Sequence, residues 1–201
     1  MVLRARFPMS GCKVYLIKAG SLVRDQEGCI LDARSTVTLI TSDIRVVVDT
    51  GMAGEDGIIL SSLAGIGLKP EDIDAVVNTH SHPDHTGNNH LFTQAQILDH
   101  RSLWDGCEVA EGVVVIETPG HSPDSICLLC RSGAMIAIAG DAIPIRDNFS
   151  KWVPPRLHTD REEAMRSMKR IVALSAVVVP GHDRPFRVRD GEYLNSGPDF
   201  P

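Results

Sequence analysis

The feature that most constrains this chain is a cluster of metal-binding residue types placed directly after the short apolar segment 75–78. His80, His82, Asp84 and His85 offer four ligands within six positions. His80 and His82 are two residues apart, so in an extended turn they point the same way and chelate one ion, while Asp84 and His85 reach a second. Chance is a poor explanation in a chain with 8 histidines, and the spacing disfavours an ordinary polar loop. The sequence therefore predicts a metal site at the end of a strand.

The same arrangement recurs three times later in the chain. Apolar runs at residues 113–117, 134–139 and 176–179 each lead into a small-residue turn. Each turn carries one ligand-capable side chain, and these are His121, Asp141 and His182. A single histidine or aspartate at a strand end is more often a cap or turn residue. Together with the first cluster, however, the three become predicted ligands, and we expect all of them on loops at one sheet edge.

Length and composition limit the class of protein. A chain of 201 residues, 43% hydrophobic and 23% charged, suits one globular domain spanning 1–201. The apolar runs fall far short of the ~20 residues that cross a bilayer, and residues 1–10 lack a secretory cleavage signature. Five scattered cysteines predict free thiols and a cytoplasmic protein. A net charge of -6 disfavours nucleic acid as a partner but leaves room for a local basic patch.

Apolar periodicity predicts an α/β fold in which strands outnumber helices. The predicted strands are residues 14–18, 37–41, 46–49, 75–78, 95–99, 113–117, 126–130, 134–139 and 176–179. Helices are predicted at 57–66 and 161–173, and irregular loops at 20–35 and 143–160. The absence of repeats and linkers in the sequence favours a layered sandwich of sheets and helices.

The order H-x-H-x-D-H, then His121, Asp141 and His182, resembles the metallo-β-lactamase superfamily from about residue 37 to 188. The early Val48-Asp49-Thr50-Gly51 is also similar to that family. The resemblance implies a four-layer αββα sandwich, with two mixed sheets flanked by helices and a site for two metal ions at the edge of the sheets.

The resemblance also implies a role for each candidate residue. His80, His82 and His121 would bind the first ion, Asp84, His85 and His182 the second, and Asp141 would bridge them. Asp49 would orient the metal ligands without binding a metal ion itself. Imidazoles and carboxylates without thiolate suit two divalent metal ions such as Zn²⁺, and also Fe or Mn. Asp84 is the candidate catalytic residue, because it lies near the water that two such ions would share and activate.

Comparison among branches of the superfamily narrows the reaction. The commonest β-lactamases are secreted and carry a cysteine where this chain has Asp141. Glyoxalase II enzymes share all seven ligands but add a glutathione-binding helical region, whereas 19 residues follow His182 here. The RNA-processing branch with an inserted domain does not fit the 36 positions between His85 and His121 or the 41 between Asp141 and His182. The leading prediction is therefore hydrolysis of an ester, thioester or lactone bond of a small-molecule substrate.

Two alternatives remain open at this stage. Residues 81–88, 118–121 and 178–188 are similar to a small single-domain group whose animal members are linked to cleavage of histone messenger RNA precursors. That likeness makes a phosphodiesterase or ribonuclease acting on RNA the first alternative. Its phosphate-binding patch would consist of Arg146, Lys151, Arg156, Arg184 and Arg187. The second alternative is a sulfur dioxygenase that uses a single Fe. A homodimer is possible, as in many members of the superfamily.

Three further features of the sequence bear on function. Cys127 and Cys130 have the spacing of a metal motif, but residues i and i+3 of a strand face opposite sides, so we expect buried structural thiols. His90 and His100 are near the first cluster in sequence and are not claimed as ligands. Trp152 either covers the site or packs its loop onto the domain, and whether the loop 143–160 gates the site stays open.

Overall fold

The computed structural model describes residues 11–194. In chain order its strands are β1 (Lys13–Lys18), β2 (Ser21–Arg24), β3 (Ile30–Arg34), β4 (Val37–Thr41), β5 (Arg45–Val48), β6 (Ala75–Val77), β7 (Gln96–Leu98), β8 (Glu108–Ala110), β9 (Val113–Glu117), β10 (Ile126–Ser132), β11 (Ala134–Gly140), β12 (Val177–Pro180) and β13 (Phe186–Arg187). The α-helices are α1 (Asp56–Gly65), α2 (Pro83–Thr86), α3 (Arg146–Lys151) and α4 (Arg161–Leu174). Short 3₁₀ turns lie at Pro70–Asp72 and Asn89–Leu91.

The strands form two mixed sheets and a separate hairpin. The first sheet has the order β1-β4-β5-β6-β7, in which β5, β6 and β7 are parallel. The second has the order β13-β12-β11-β10-β9-β8, in which β11 and β12 are parallel. Strands β2 and β3 pair only with each other. The mixed parallel and antiparallel pairing agrees with the predicted α/β class.

The sheets pack face to face, and each outer face is covered by a helix. In β5, Val46 and Val48 face the core between the sheets, while Val47 faces α1 on the other side. This alternation follows from the two-residue period of a strand, and burial of both faces explains why the strand reads as a continuous apolar run. On the outer face of the second sheet, Met168 and Ile171 of α4 pack in the same way. The layers are therefore αββα, as predicted.

Two predicted loops contain regular structure, and those predictions are wrong in part. The segment 20–35 holds the β2–β3 hairpin, whose turn is closed by the Asp25 side chain accepting from Cys29 N at 2.7 Å and by Gly28 at φ 81°. The segment 143–160 holds α3, which ends at Trp152 in a left-handed conformation. Both elements were missed because the segments SLVR, ILDAR and RDNFSK lack the continuous apolar run that identifies the predicted strands.

The environment of the thiols agrees with the sequence prediction. All five cysteines lie in the described range, and all five are free. Cys130 faces the core between the sheets and Cys127 faces the layer under α4, so the pair cannot chelate one ion. Among residues 11–194, no helix combines the length and apolarity needed to cross a bilayer.

Candidate metal centre

The first ligand cluster begins where β6 ends, at the edge of the first sheet. Asn78, Thr79 and His80 continue from the strand as buried residues, and the Thr79 carbonyl accepts from Ile126 N of the second sheet at 2.8 Å. Pro83 then starts the short helix α2, because its fixed φ suits the first helical position. This helix carries the carboxylate and imidazole of the next two residues. The cluster therefore lies where the two sheets meet.

The later candidates come from the second sheet. His121 follows β9, Asp141 follows β11 and His182 follows β12. These three candidates lie on loops at one edge of the second sheet, as expected, because β9, β11 and β12 run in the same direction, whereas the first cluster follows a strand of the other sheet. The sheets bring the two groups together because their packed inner faces align these edges over the common core.

His80, His82 and His121 form one compact group. Each offers a ring nitrogen, and these nitrogens lie within 4.8 Å of one another. His121 Nε2 is 3.1 Å from His82 Nδ1, and the three ring centroids are separated by 4.5, 4.9 and 4.8 Å. Three converging imidazoles of this kind can hold a single divalent ion.

A second group consists of Asp84, His85 and His182, whose ligand atoms also lie within 4.8 Å of one another. Asp84 Oδ2 is 3.5 Å from His182 Nε2 and 3.9 Å from His85 Nε2. The side chain of Asp84 is 17% exposed, so its carboxylate also reaches the cleft in front of the group. The group can hold a second ion through two nitrogens and one oxygen.

Asp141 lies between the two groups. One of its oxygens, Oδ1, is 3.2 Å from His182 Nε2 and 3.4 Å from His85 Nε2. The other, Oδ2, is 3.5 Å from His121 Nε2 in the first group. Oδ2 is also 3.3 Å from His182 Nε2, so this carboxylate contacts imidazoles of both groups and is positioned to bridge them.

Three buried atoms test whether these residues fit a metal. His80 Nε2, His85 Nε2 and Asp141 Oδ1 have no hydrogen-bond partner within the described part of the chain. Their residues form a third group with ligand atoms within 4.8 Å of one another. Each such atom costs about 1–3 kcal/mol when it is left unsatisfied. Divalent ions would satisfy all three, so the donor set fits the metals that the sequence predicts.

The electrostatics of the site arise from a buried carboxylate among imidazoles. Burial by itself would raise the pKa of Asp141, but His182 and His85 outweigh it and hold that pKa well below the usual range. Burial likewise opposes protonation of His85, and Asp49 and Asp141 overcome it to raise its pKa. Burial and the charge of His85 lower the pKa of His80 to about 2. His80 is therefore a neutral imidazole near pH 7, the form that binds metal.

In three of the buried candidate ligands, an oxygen atom holds the ring nitrogen that faces away from the centre. His85 Nδ1 is 2.7 Å from Asp49 Oδ2, His121 Nδ1 is 2.8 Å from the Leu157 carbonyl, and His182 Nδ1 is 2.9 Å from the Arg34 carbonyl. Such contacts fix the tautomer and the ring orientation of a ligand. Asp49 thus contacts the side of His85 that faces away from the centre, in the position that the family resemblance implies.

We expect Asp49→Asn to weaken metal binding by about 10- to 100-fold, because Asp49 also accepts from Thr79 N and Thr79 Oγ1, both at 2.8 Å. Asparagine tolerates the left-handed conformation of this residue, at φ 56°, so the backbone should be retained. Metal affinity measured by competition with a chromophoric chelator checks the change. Asp74→Asn is the matched control, and equal affinity in both variants would contradict the orienting role.

The metal groups open onto a cleft of about 310 Å³. One wall is the inward face of the β2–β3 hairpin, and the other is the segment 155–157 before α4. The lining residues outside the ligand set are Leu22, Arg24, Ile30, Ala33, Met52, Pro144, Pro155, Arg156 and Leu157. The β2–β3 hairpin, in a segment predicted to be an irregular loop, therefore forms part of the candidate active site.

Comparison with known proteins decides the family. The sequence profile of the metallo-beta-lactamase superfamily matches residues 32–105. The chain is 33% identical to metallo-beta-lactamase domain-containing protein 1 of Xenopus laevis, over 92% of this chain and 85% of that protein. The chain belongs to the metallo-β-lactamase superfamily. This superfamily comprises metallo-hydrolases that bind divalent metals, so the chain is an enzyme of that class, as predicted.

Two further comparisons concern lactonases of the metallo-β-lactamase superfamily. The chain is 28% identical to an N-acyl homoserine lactonase of Bacillus cereus, over 85% of this chain and 93% of that protein. A crystal structure of a quorum-quenching N-acyl homoserine lactone hydrolase superposes with a TM-score of 0.72 at 26% identity, covering 88% of this chain and 94% of that one. This chain thus has a metallo-β-lactamase fold.

Within this metallo-β-lactamase fold, the structure brings together all seven predicted ligands and leaves other candidates outside. His90 is exposed, and His100 Nδ1 is 3.8 Å from Asp124. Trp152 is 46% exposed and does not line the cleft. Of the five residues predicted as a basic patch, only Arg156 lines it. Arg146 and Arg184 stack on Tyr193, while Lys151 and Arg187 pair with carboxylates.

Sequence reasoning missed the residues that support the metal ligands through their backbones. The carbonyls of Arg34 and Leu157 contact His182 and His121. Every residue has a backbone carbonyl, so the sequence does not indicate which of them contacts a ligand. The cleft wall offered one sequence signal, the turn residues Asp25 and Gly28 between the short segments that form β2 and β3.

We expect Gly181→Ala to lower activity by about 100-fold, because an added Cβ would lie 2.0 Å from Asp141 Oδ1 and displace that carboxylate. Gly57→Ala in α1 is the control, since its added Cβ would meet no atom within 4 Å. Turnover of both variants, normalised to folded protein by circular dichroism, checks the prediction. Wild-type turnover of the Gly181 variant would show that the close approach is not required.

Proposed function

We propose that this chain hydrolyses an ester, thioester or lactone bond with a site for two divalent metal ions, Zn²⁺ being the first candidate and Fe or Mn the others. The observation that carries the proposal is the position of Asp141 between two groups of three ligands. A single-ion site would leave one group and half of this carboxylate without a role. The lactonases among the relatives support the same reaction class.

Two bound ions would lower the pKa of a water molecule and polarise the oxygen of the scissile carbonyl group. The chain's own contribution is to position the reacting groups. Asp84, partly exposed at the cleft, would orient the attacking water and accept its proton at a carboxylate oxygen. The backs of His85, His121 and His182 are held by fixed oxygen acceptors, so the ligand set needs little reorganisation during the reaction.

The lining of the cleft supports an acyl substrate. Leu22, Ile30, Met52, Pro144 and Leu157 provide apolar contact area beside the metal groups. Such a surface binds a carbon chain and excludes bulk water from the reacting bond. A volume of about 310 Å³ is at the lower end of the range for small-molecule sites, which agrees with a small-molecule partner.

The observations give less support to the two alternatives. An RNA-cleaving enzyme needs a broad basic surface for successive phosphates, whereas most of the predicted patch faces away from the cleft or is paired. A dioxygenase with one Fe would need only the first group of ligands. The second group, with its own supporting contact between His182 and the Arg34 carbonyl, favours two ions.

The test is elemental analysis of protein purified without chelator or added metal, paired with turnover of lactone, thioester, ester and phosphodiester substrates. We expect about two divalent ions per chain and hydrolysis within the carbonyl classes. One Fe per chain with thiol-oxidising activity would replace the proposal by the dioxygenase, and turnover of phosphodiesters alone would replace it by the nuclease.

The remaining predictions concern domain organisation, partners, cellular location and oligomeric state. Because the site draws ligands from both sheets, its assembly supports a single domain within residues 11–194, and the bounds 1–201 stay a prediction. A small-molecule substrate, no membrane partner and a cytoplasmic location stay predictions, as does the homodimer. Sedimentation and cell fractionation test them.

A further inference from the structure

Two arginines from distant parts of the chain meet at the cleft. Arg24 ends strand β2 of the hairpin, and Arg156 lies between Pro155 and Leu157 on the opposite wall. Both side chains line the same cleft as His121 and His182. Two cationic side chains at one cleft are notable in a chain whose net charge is -6.

The two guanidinium groups share a single acceptor. Nη1 of Arg24 and Nη1 of Arg156 both donate to the carbonyl of Gly28 in the hairpin turn, the first at 3.1 Å. A guanidinium carries five N–H donors, and neither arginine contacts a carboxylate of residues 11–194. A neutral carbonyl therefore holds in place two cations with most of their hydrogen-bonding capacity unused.

The hairpin sets the distance between these cations and the metal groups. Its base is attached to the centre, since the Arg34 carbonyl contacts His182 Nδ1 at 2.9 Å. Its turn carries the shared acceptor, and Arg24 pairs with Ile30 beside that turn. Ile30 and Arg34 are four positions apart in β3, which at roughly 3.3 Å per residue corresponds to about 13 Å. Leu22 and Ala33, paired across the hairpin, give this stretch an apolar surface.

We propose that Arg24 and Arg156 bind an anionic group at the far end of the substrate, on the order of 10 Å from the bond that is hydrolysed. The substrate is then an acyl compound with an apolar chain and a terminal carboxylate or phosphate-type group. This inference rests on the proposed hydrolase function and adds a specificity determinant to it. Charge-assisted, bidentate contacts to arginine are the strongest hydrogen bonds available for this recognition.

The experiment measures kcat/KM for p-nitrophenyl monoesters of dicarboxylic acids from succinate to suberate, each beside the uncharged alkanoate ester of equal chain length. A third series ends in a phosphonate in place of the carboxylate, which distinguishes the two kinds of anion. Wild-type enzyme should prefer one anionic series by about 10- to 100-fold, with an optimum at one chain length. The preference should appear in KM and should weaken as salt is added.

The variants are Arg24→Gln, Arg156→Gln and the double variant, with Arg166→Gln on the exposed face of α4 as the matched control. Each single change should remove about tenfold of the anionic preference and leave turnover of the uncharged esters within about twofold. Inhibition by the free dicarboxylate should weaken in parallel. Loss of turnover on both ester series in the arginine variants would instead assign them a structural role and overturn the inference.

Two other outcomes separate the inference from the function beneath it. If wild type hydrolyses charged and uncharged esters equally well, the inference fails and the hydrolase proposal stands. If wild type hydrolyses no ester, thioester or lactone of any series, the hydrolase proposal itself fails. Competition by a single-stranded RNA oligonucleotide, lost in the double variant, would reassign the two arginines to a phosphodiester chain and also overturn the inference.

Discussion

Asp141→Ala is expected to reduce turnover by about 1,000-fold or more and to remove at least one metal ion per chain. The charge stabilisation that metal ions supply to a transition state is several kcal/mol, and each 1.4 kcal/mol is a factor of ten in rate. The Asp141 carboxylate contacts imidazoles of both groups, through His121 on one side and His85 and His182 on the other. Steady-state kinetics and elemental analysis of the same preparation measure the two effects.

The control for this variant is Asp147→Ala. Asp147 is an exposed aspartate of α3 whose carboxylate contacts Lys151 at 2.7 Å, so its loss should leave activity and metal content unchanged. Circular dichroism should show an intact fold for both variants, because the strands around the site pack through cores that do not include Asp141. Two retained ions with full activity in Asp141→Ala would disprove the bridging assignment.

Chelation is expected to abolish hydrolysis and to lower the melting temperature by roughly 5–10 °C. Binding of an ion at about 100 times its Kd stabilises a fold by about 2.7 kcal/mol, and one kcal/mol shifts Tm by about 2–4 °C in a domain of this size. The reason is local: His80 Nε2, His85 Nε2 and Asp141 Oδ1 are buried without hydrogen-bond partners among the described residues. A metal is the partner that would satisfy them together.

Add-back distinguishes metal dependence from damage by the chelator. Activity and Tm should both return with stoichiometric Zn²⁺ or Mn²⁺, and the ion that restores more turnover identifies the better cofactor. His90→Ala, which changes an exposed histidine outside the three ligand groups, should behave as wild type in both measurements. Hydrolysis that persists without metal would contradict the mechanism.

Much of the fold could be predicted because its strands are buried on both faces. Strands β4 and β9 have the predicted bounds, and the other long strands differ by one or two residues. An apolar run such as residues 46–48 needs no alternation to be recognised, since the turns at its ends bound it. Helix α4 could be predicted from a different signal. Asp160 caps the helix by accepting from Glu163 N at 2.9 Å, and Met168 and Ile171 are apolar residues at helical spacing.

The β2–β3 hairpin was not predicted because contacts with distant parts of the same chain hold it in position. The β2–β3 hairpin pairs with no other strand, and its exposed face carries Val23 and Leu31. Its position depends on long-range contacts to the rest of the chain, made through the Arg34 carbonyl and the Gly28 carbonyl. Such contacts join backbone atoms to residues more than 100 positions away, and local periodicity cannot show them.

The sequence by itself determined which residues can bind metal, because ligand chemistry belongs to the side chain. The histidines and aspartates at the ends of apolar runs could be named from their type and spacing alone. Tertiary structure decided how they are grouped: packing of the inner faces joins the end of β6 to the ends of β9, β11 and β12 from the other sheet. It also decided what surrounds them, since Arg24 and Arg156 meet at the cleft through hydrogen bonds to the Gly28 carbonyl, which is 128 positions from Arg156 in the chain.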